Sequence, residues 1–213
     1  MVPLFTEIGV FLALEGGEGA GKSTQATLLV EWLETLGHRV LLTRETGGTE
    51  VGKILRRIVL DNATGELSPR TEALLYAADK AEHVDQVVLP ALADGAIVLT
   101  DRYVDSTLAY QGAGRSLDAA ELEWVARWAT EDLRPHLTVL LDLDPTAGLT
   151  RFAGRDRIEG ESIEFHQRVR DEFLRLAAAD PDHYLVLDAR APAEEIAAAV
   201  HGRVSTLLEG ARR

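Results

Sequence analysis

Short runs of apolar, often β-branched residues alternate along this chain with longer stretches whose apolar positions recur at helical spacing. Val10–Leu14 reads as a buried strand. Lys22–Leu36 reads as a helix with Ala26, Leu29, Leu33 and Leu36 along one side, closed by Gly37. A second strand, Val40–Thr43, precedes a helix over Glu50–Leu60. Ser68 and Pro69 form a helix start, an N-cap followed by proline at the first position, and the pattern predicts a helix from there to about Leu92. Ala96–Thr100 is a strand ending in Asp101. Asp118 with Glu121 starts a helix whose apolar side is Leu122, Val125 and Ala129. Leu137–Leu143 is a strand, and a helix follows Pro145. Ser162–Ala179 is helical, Tyr184–Leu187 is a strand, and a helix runs from Pro192 to about Leu208.

Strands that alternate with helices in this way predict an α/β fold, a parallel sheet joined by right-handed crossovers and covered by helices on both faces. Ligands in such folds bind at the carboxyl ends of the strands. The loops at 15–23, 44–49 and 101–115 are therefore the ones expected to carry chemistry. No repeat, low-complexity segment or linker interrupts the pattern, and 213 residues suit one domain spanning 1–213.

Composition narrows the class. The chain is 46% hydrophobic and 27% charged, with a net charge of −13. That field repels nucleic acid and anionic membrane, so neither is an expected partner. With no cysteine, disulfides, thiolate catalysis and zinc–cysteine sites are excluded. No apolar run approaches the roughly 20 residues of a membrane span. The first nine residues contain Glu7 and no Lys or Arg, unlike a signal peptide, which makes the cytoplasm the expected location.

The stretch EGGEGAGKS, residues 15–23, fits G-x-x-x-x-G-K-[ST] through Gly16, Gly21, Lys22 and Ser23. Glycines let successive backbone N–H groups curl round phosphate oxygens, and the helix that follows adds its positive end. Lys22 is expected to reach the β- and γ-phosphates of a nucleoside triphosphate, and the Ser23 hydroxyl to hold Mg²⁺. The cradle itself is Gly16, Gly17, Glu18, Gly19, Ala20, Gly21, Lys22, Ser23 and Thr24. A carboxylate at Glu18, in the middle of an anion site, needs a separate explanation.

The cradle does not name a reaction, since switch GTPases, ATPases and small kinases share it. A guanine-reading Asn/Thr-Lys-x-Asp stretch is absent. Residues 99–115, LTDRYVDSTLAYQGAGR, start at a strand end. There Asp101 is placed for the Mg²⁺ shell and Arg102 for a bidentate phosphate clamp, against the plainer reading of a surface ion pair. Tyr103 and Tyr110 suit either packing or a site. Arg56 and Arg57 are adjacent and cannot share a helix face, so one faces a site and the other solvent. Arg155 and Arg157 lie in a polar, glycine-flanked loop that reads either as a solvated turn or as a closing lid of about 153–162, whose arginines neutralise transition-state charge.

Taken together, EGGEGAGKST, RETGGT, RTEALLYAADKAEH, DRYVDSTLAYQG and DRIEGES, in this order from Val10 to about Arg170, resemble bacterial thymidylate kinases. The resemblance implies a three-layer P-loop kinase fold with a five-stranded parallel sheet and a short lid. It also implies transfer of phosphate from ATP to dTMP, giving dTDP for dTTP synthesis, with Mg²⁺, in a homodimer. It assigns Glu18 to the 3′-hydroxyl of dTMP, which explains the carboxylate: it faces the sugar, not the ATP phosphates. Family members whose cradle carries an arginine after that acidic residue have it where Gly19 stands here; this chain resembles the type that supplies the basic residues from the lid, Arg155 and Arg157. Arg56 and Arg102 match the arginines that hold the dTMP phosphate. Glu45, after Arg44, matches an acidic residue near the reacting phosphates. Tyr76 matches the aromatic stacked on thymine, Thr107 and Gln111 match base contacts, and Tyr110 matches a tyrosine that crowds C2′.

The chain departs from the family pattern at four positions. Thr46 replaces a proline, so no cis-proline turn forms there and the loop is expected to take its shape from Gly47 and Gly48. Tyr76 stands for phenylalanine, Thr107 for serine or asparagine, and Lys80 for an arginine that contacts the thymine carbonyl, without that residue's planar fork. Three of the four touch the base. A kinase for another nucleotide or nucleoside is therefore the first alternative, and a non-enzymatic nucleotide-binding module the second.

Overall fold

Strands that are apolar along their whole length are stable only when both faces are covered, and the sequence supplies helices for both. The computed structural model describes residues 9–151 and 156–211. Its strands are β1 (Phe11–Gly16), β2 (Val40–Arg44), β3 (Ile97–Asp101), β4 (Leu137–Asp142) and β5 (Tyr184–Asp188). They form one sheet in the order β2-β3-β1-β4-β5, and every pairing is parallel. The helices are α1 (Lys22–Thr35), α2 (Glu50–Leu60), α3 (Pro69–His83), α4 (Leu89–Ala93), α5 (Val104–Thr107), α6 (Ala119–Ala129), α7 (Pro145–Leu149), α8 (Ile163–Ala179) and α9 (Ala193–Ala211). None among the described residues is long and apolar enough to cross a membrane.

β1 is buried throughout, and its alternate residues feed two cores. Leu12 and Leu14 pack with Leu29 and Leu33 of α1 and Val200 and Val204 of α9. Phe11 and Ala13 point the other way, onto Val88, Leu92 and Tyr103. Leu29 and Leu33 are 1% and 0% exposed, so each contributes about 2 kcal/mol by burial. Leu36, expected on the same helix side, lies past the end of α1 and is exposed.

Two predicted elements change. The single helix expected from Pro69 to about Leu92 keeps its direction but widens into a π-type turn over Val84–Val88 before α4. Pro90 is the reason: it has no N–H for the carbonyl four residues back and its ring crowds that carbonyl, which a wider turn relieves. The loop expected at 101–115 is largely helical, as α5 and a π-type stretch over Leu108–Gly114. No local side chain caps α5. Glu15, at the end of β1, accepts from the N–H groups of Tyr103 and Ser106 instead.

Register brings the carboxyl ends of three strands level. Asp101 of β3 sits beside Leu14 of β1 and Arg44 of β2. Gly16 sits beside Leu141 of β4. The loops after β1, β2 and β3 therefore meet over the middle of the sheet.

Candidate active site

The cradle after β1 depends on glycine for space. Gly16 has φ +138°, and a Cβ there would stand 2.4 Å from the Leu141 carbonyl oxygen. At Gly19, φ is +70° and a Cβ would stand 2.6 Å from the Gly148 carbonyl oxygen, so no side chain fits at the position where other cradles carry arginine. Ala20 packs into the core beneath. Gly21 begins α1 in the left-handed region, and no side chain caps the helix. The first N–H groups of α1, around Ser23 and Thr24, are thus left for an anion. The Lys22 ammonium donates to the carbonyls of Gly16 (3.1 Å) and Gly17 (3.0 Å), folded back over the loop it serves. Burial, and then repulsion from Arg102, lower its pKa, against the pull of Glu18, Asp101 and Glu15.

Arg102 is the junction between this cradle and a neighbouring cavity. Its φ is +69°, left-handed for a residue with a side chain. One terminal nitrogen donates to the Gly16 carbonyl and the Ser106 hydroxyl, both at 3.1 Å, and the other to Glu18 at 2.7 Å. The guanidinium carbon stands 5.0 Å from the centre of the Tyr110 ring. Glu18 also accepts from the Tyr110 hydroxyl at 2.7 Å. Burial would raise the Glu18 pKa, but the Arg102 guanidinium and then the Lys22 ammonium hold it down to about 2. Burial opposes the charge of Arg102 too, while Glu18 foremost pushes its pKa well above the usual arginine value.

One cavity is lined by all eight residues predicted to hold the acceptor: Glu18, Arg56, Tyr76, Lys80, Arg102, Thr107, Tyr110 and Gln111, together with Glu45. Arg56 donates to the Thr46 carbonyl at 2.9 Å, and its neighbour Arg57 is exposed, as the adjacent-arginine pattern required. Glu45 is pinned between the Lys80 ammonium (3.0 Å) and His83 (2.9 Å), and His83 in turn meets the Thr43 hydroxyl at 2.7 Å. Gly47 donates to Asp79 at 3.2 Å. One expectation for this loop is corrected: the Glu45–Thr46 peptide is cis although Thr46 is not a proline. Contacts from α2 and α3, and not glycines alone, shape the turn. The Thr107 hydroxyl is buried in the cavity wall without a hydrogen-bond partner. Burial raises the pKa of the Tyr76 hydroxyl, which keeps it neutral.

Behind this wall, Glu72 is fully buried and carries three partners. They are Gln111 (3.0 Å), Arg115 (3.0 and 3.1 Å) and Arg157 (2.5 Å). Burial opposes its charge, and hydrogen bonds from Arg115 and Gln111 lead in lowering its pKa. Arg157 also donates to the Val59 carbonyl at 2.8 Å, so in this structure it staples the lid base to α2 and α3 and does not line the cavity. Arg155, its predicted companion, lies outside the described residues. Arg151 reaches the Gly19 carbonyl at 2.5 Å, a contact to the cradle that the sequence pattern did not single out.

The donor set for Mg²⁺ is sparse and fits that ion. Asp101 has a buried carboxylate oxygen with no hydrogen-bond partner, and Ser23 exposes its hydroxyl at the start of α1. No group of three acidic, histidine or cysteine residues among the described residues forms a metal cage. Mg²⁺ held mainly by substrate phosphates needs only such a pair.

The family model for thymidylate kinase matches residues 14–200. The chain belongs to the thymidylate kinase family. The thymidylate kinase of Clavibacter sepedonicus is 56% identical over 204 residues, covering 94% of this chain and 96% of that one. That of Cutibacterium acnes is 56% identical over 200 residues, covering 94% and 98%. Among solved structures, the crystal structure of thymidylate kinase from Ehrlichia chaffeensis superposes with a TM-score of 0.77 at 29% identity, covering 92% of this chain and 98% of the other. The activity of this chain is ATP-dependent phosphoryl transfer to dTMP, giving dTDP.

Around this candidate site, Glu15, Ser106, Glu72, His83 and Arg151 escaped the sequence reading. Glu15 did leave a signal: a carboxylate at the end of a wholly apolar strand must have a buried partner.

Proposed function

We propose that the cradle of Gly16–Thr24 holds Mg·ATP while dTMP occupies the cavity between α2, α3 and α5. The observation that carries this reading is Arg102, whose guanidinium touches the cradle carbonyl of Gly16 and the cavity carboxylate of Glu18 at once. Arg102 and Arg56 hold the dTMP phosphate, and Glu18 with Tyr110 faces the sugar. Tyr76 stacks on the base, and Thr107, Gln111 and Lys80 meet its edge. An oxygen of the dTMP phosphate attacks the γ-phosphorus of ATP; the new O–P bond forms as the bond to the ADP oxygen breaks. The acceptor is already an anion, so no strong base is needed, and these residues position the reactants and neutralise charge. Bound through Ser23 and Asp101, Mg²⁺ would supply electrostatic stabilisation of the phosphates. Lys22 stays on the migrating phosphoryl group, while Glu45 acts at one remove by holding Lys80 and the 44–49 loop. A lid of about 153–162 closes over the phosphates, with Arg155 as its cation and Arg157 anchoring its base. We propose the cytoplasm as its location.

Base preference is the sharpest test, because the Lys80 ammonium already serves Glu45. Monophosphates of thymine, uracil, cytosine, guanine and adenine are compared by ADP release with Mg·ATP. The expected result is dTMP preferred over dUMP and by a larger factor over dCMP, dGMP, dAMP and UMP. Preference for another monophosphate would leave the phosphoryl chemistry standing and overturn the base pocket.

The homodimer that we propose would use an exposed apolar surface. Val51, Ile54 and Ile58 of α2, Leu74 of α3, and Trp124 and Trp128 of α6 are all exposed, Trp128 by 72%. α3 packs against both α2 and α6, so the exposed apolar side chains are carried by three neighbouring helices. That extent of apolar surface suits a second copy of the chain. Trp128→Glu is expected to shift the mass in light scattering from dimer towards monomer at micromolar concentration. An unchanged mass would place the interface elsewhere.

A further inference from the structure

Glu15 does not line the acceptor cavity and has no exposure to solvent. A carboxylate so placed is costly unless its oxygens are satisfied. Its carboxylate oxygens accept from one segment: the Tyr103 N–H (2.8 Å), the Ser106 N–H (3.1 Å) and the Ser106 hydroxyl (2.6 Å). That segment begins with Arg102, whose backbone is held in the left-handed region. The backbone around that residue is tied to the ends of β1 and β3. Its N–H donates to the Leu14 carbonyl at 2.9 Å. Its carbonyl accepts from the Thr100 hydroxyl at 2.9 Å. The next N–H, that of Tyr103, goes to Glu15. Because the Ser106 hydroxyl donates to Glu15, its lone pairs are turned to the Arg102 guanidinium, which donates to it at 3.1 Å.

We infer that Glu15 is a positioning residue for phosphoryl transfer: through Ser106 and the Tyr103 backbone it fixes the rotamer and backbone of Arg102, and so the place of the acceptor phosphate. The inference rests on the acceptor role given above to Arg102. Two links make the relay. Glu15 sets the backbone turn that throws the Arg102 side chain across to Gly16, and it orients the hydroxyl that holds the guanidinium edge. The same strand end thus carries the ATP cradle on its next residues and fixes the acceptor's arginine through its own carboxylate. Donor and acceptor sites are registered against one another by a residue that touches neither substrate.

Glu15→Gln tests this. The amide is isosteric, but it presents N–H groups to the Ser106 hydroxyl, which must then turn. The expected result is a rise of about tenfold in KM for dTMP, with KM for ATP unchanged, as displacement of a clamp by a fraction of an ångström would produce. Ser106→Ala, which removes only the relay's oxygen, should give the same split, and it carries the test alone if Glu15→Gln does not fold. The deciding measurement is a cycle with Arg102→Ala. Without Arg102 the relay has nothing to position, so Glu15→Gln and Ser106→Ala should cost nothing further. Equal losses with and without Arg102, or no loss with it, overturn the relay and leave the acceptor reading intact. A loss below tenfold for Arg102→Ala by itself overturns the acceptor role of Arg102, and the relay with it.

Discussion

Lys22→Ala is expected to retain less than about a thousandth of the kcat of the unaltered enzyme, measured by dTDP formation under saturating substrates. The Lys22 ammonium is the cation that belongs to the cradle itself, and the glycines around it have no side chain to take its place. In the structure it rests on the Gly16 and Gly17 carbonyls, contacts that a phosphate oxygen would outbid because the bond would then join opposite charges. Burial and the nearby Arg102 already disfavour its charge, so an arriving triphosphate relieves a repulsion as well as forming a bond. The glycine backbone and the start of α1 remain in the variant, so ATP affinity should fall far less than kcat. Full turnover in Lys22→Ala would show that the triphosphate does not lie in this loop.

The second large effect is expected at Arg102. Replacing it by alanine should lower kcat/KM for dTMP by about a hundredfold or more. Three contacts disappear together, to Gly16, Ser106 and Glu18. The loss also reaches Glu18: burial pushes that carboxylate up, and Arg102 is first among the groups holding it down to about 2. Without Arg102 the Glu18 carboxylate gains a proton more easily, and activity should fall further on the acid side than it does in the unaltered enzyme. Arg102→Lys separates charge from shape. A lysine restores the cation without the fork that spans Gly16 and Glu18, so an intermediate loss is expected. A loss below tenfold for the alanine variant would contradict the phosphate-clamp role.

Much of this was legible in the sequence because the signals are local. Period and turn chemistry act within a few residues, so the helix starts at Ser68 and Asp118 appear as read, each side chain accepting from the N–H three residues on. The glycine spacing of the cradle is equally local. Where a long-range partner competes, local reading fails. The segment 101–115 looks like a loop because Gly112 and Gly114 weaken its helical pattern, yet Glu15 caps it from 88 residues away. Arg157 looks like a free lid cation, yet a buried carboxylate on α3 holds it. Thr46 looks incompatible with a cis peptide, yet Arg56, Lys80, His83 and Asp79 hold the loop from two other helices.

By itself, then, the sequence determined the order and kind of the elements, the phosphate cradle and the residue types able to hold a nucleotide acceptor, since each is written in spacings of a few residues. Only the tertiary structure decided which of those residues share a cavity and which carboxylate holds which arginine. Those pairings depend on strand order and register, which bring Gly16, Glu45 and Arg102 to one edge of the sheet, and no spacing along the chain encodes that.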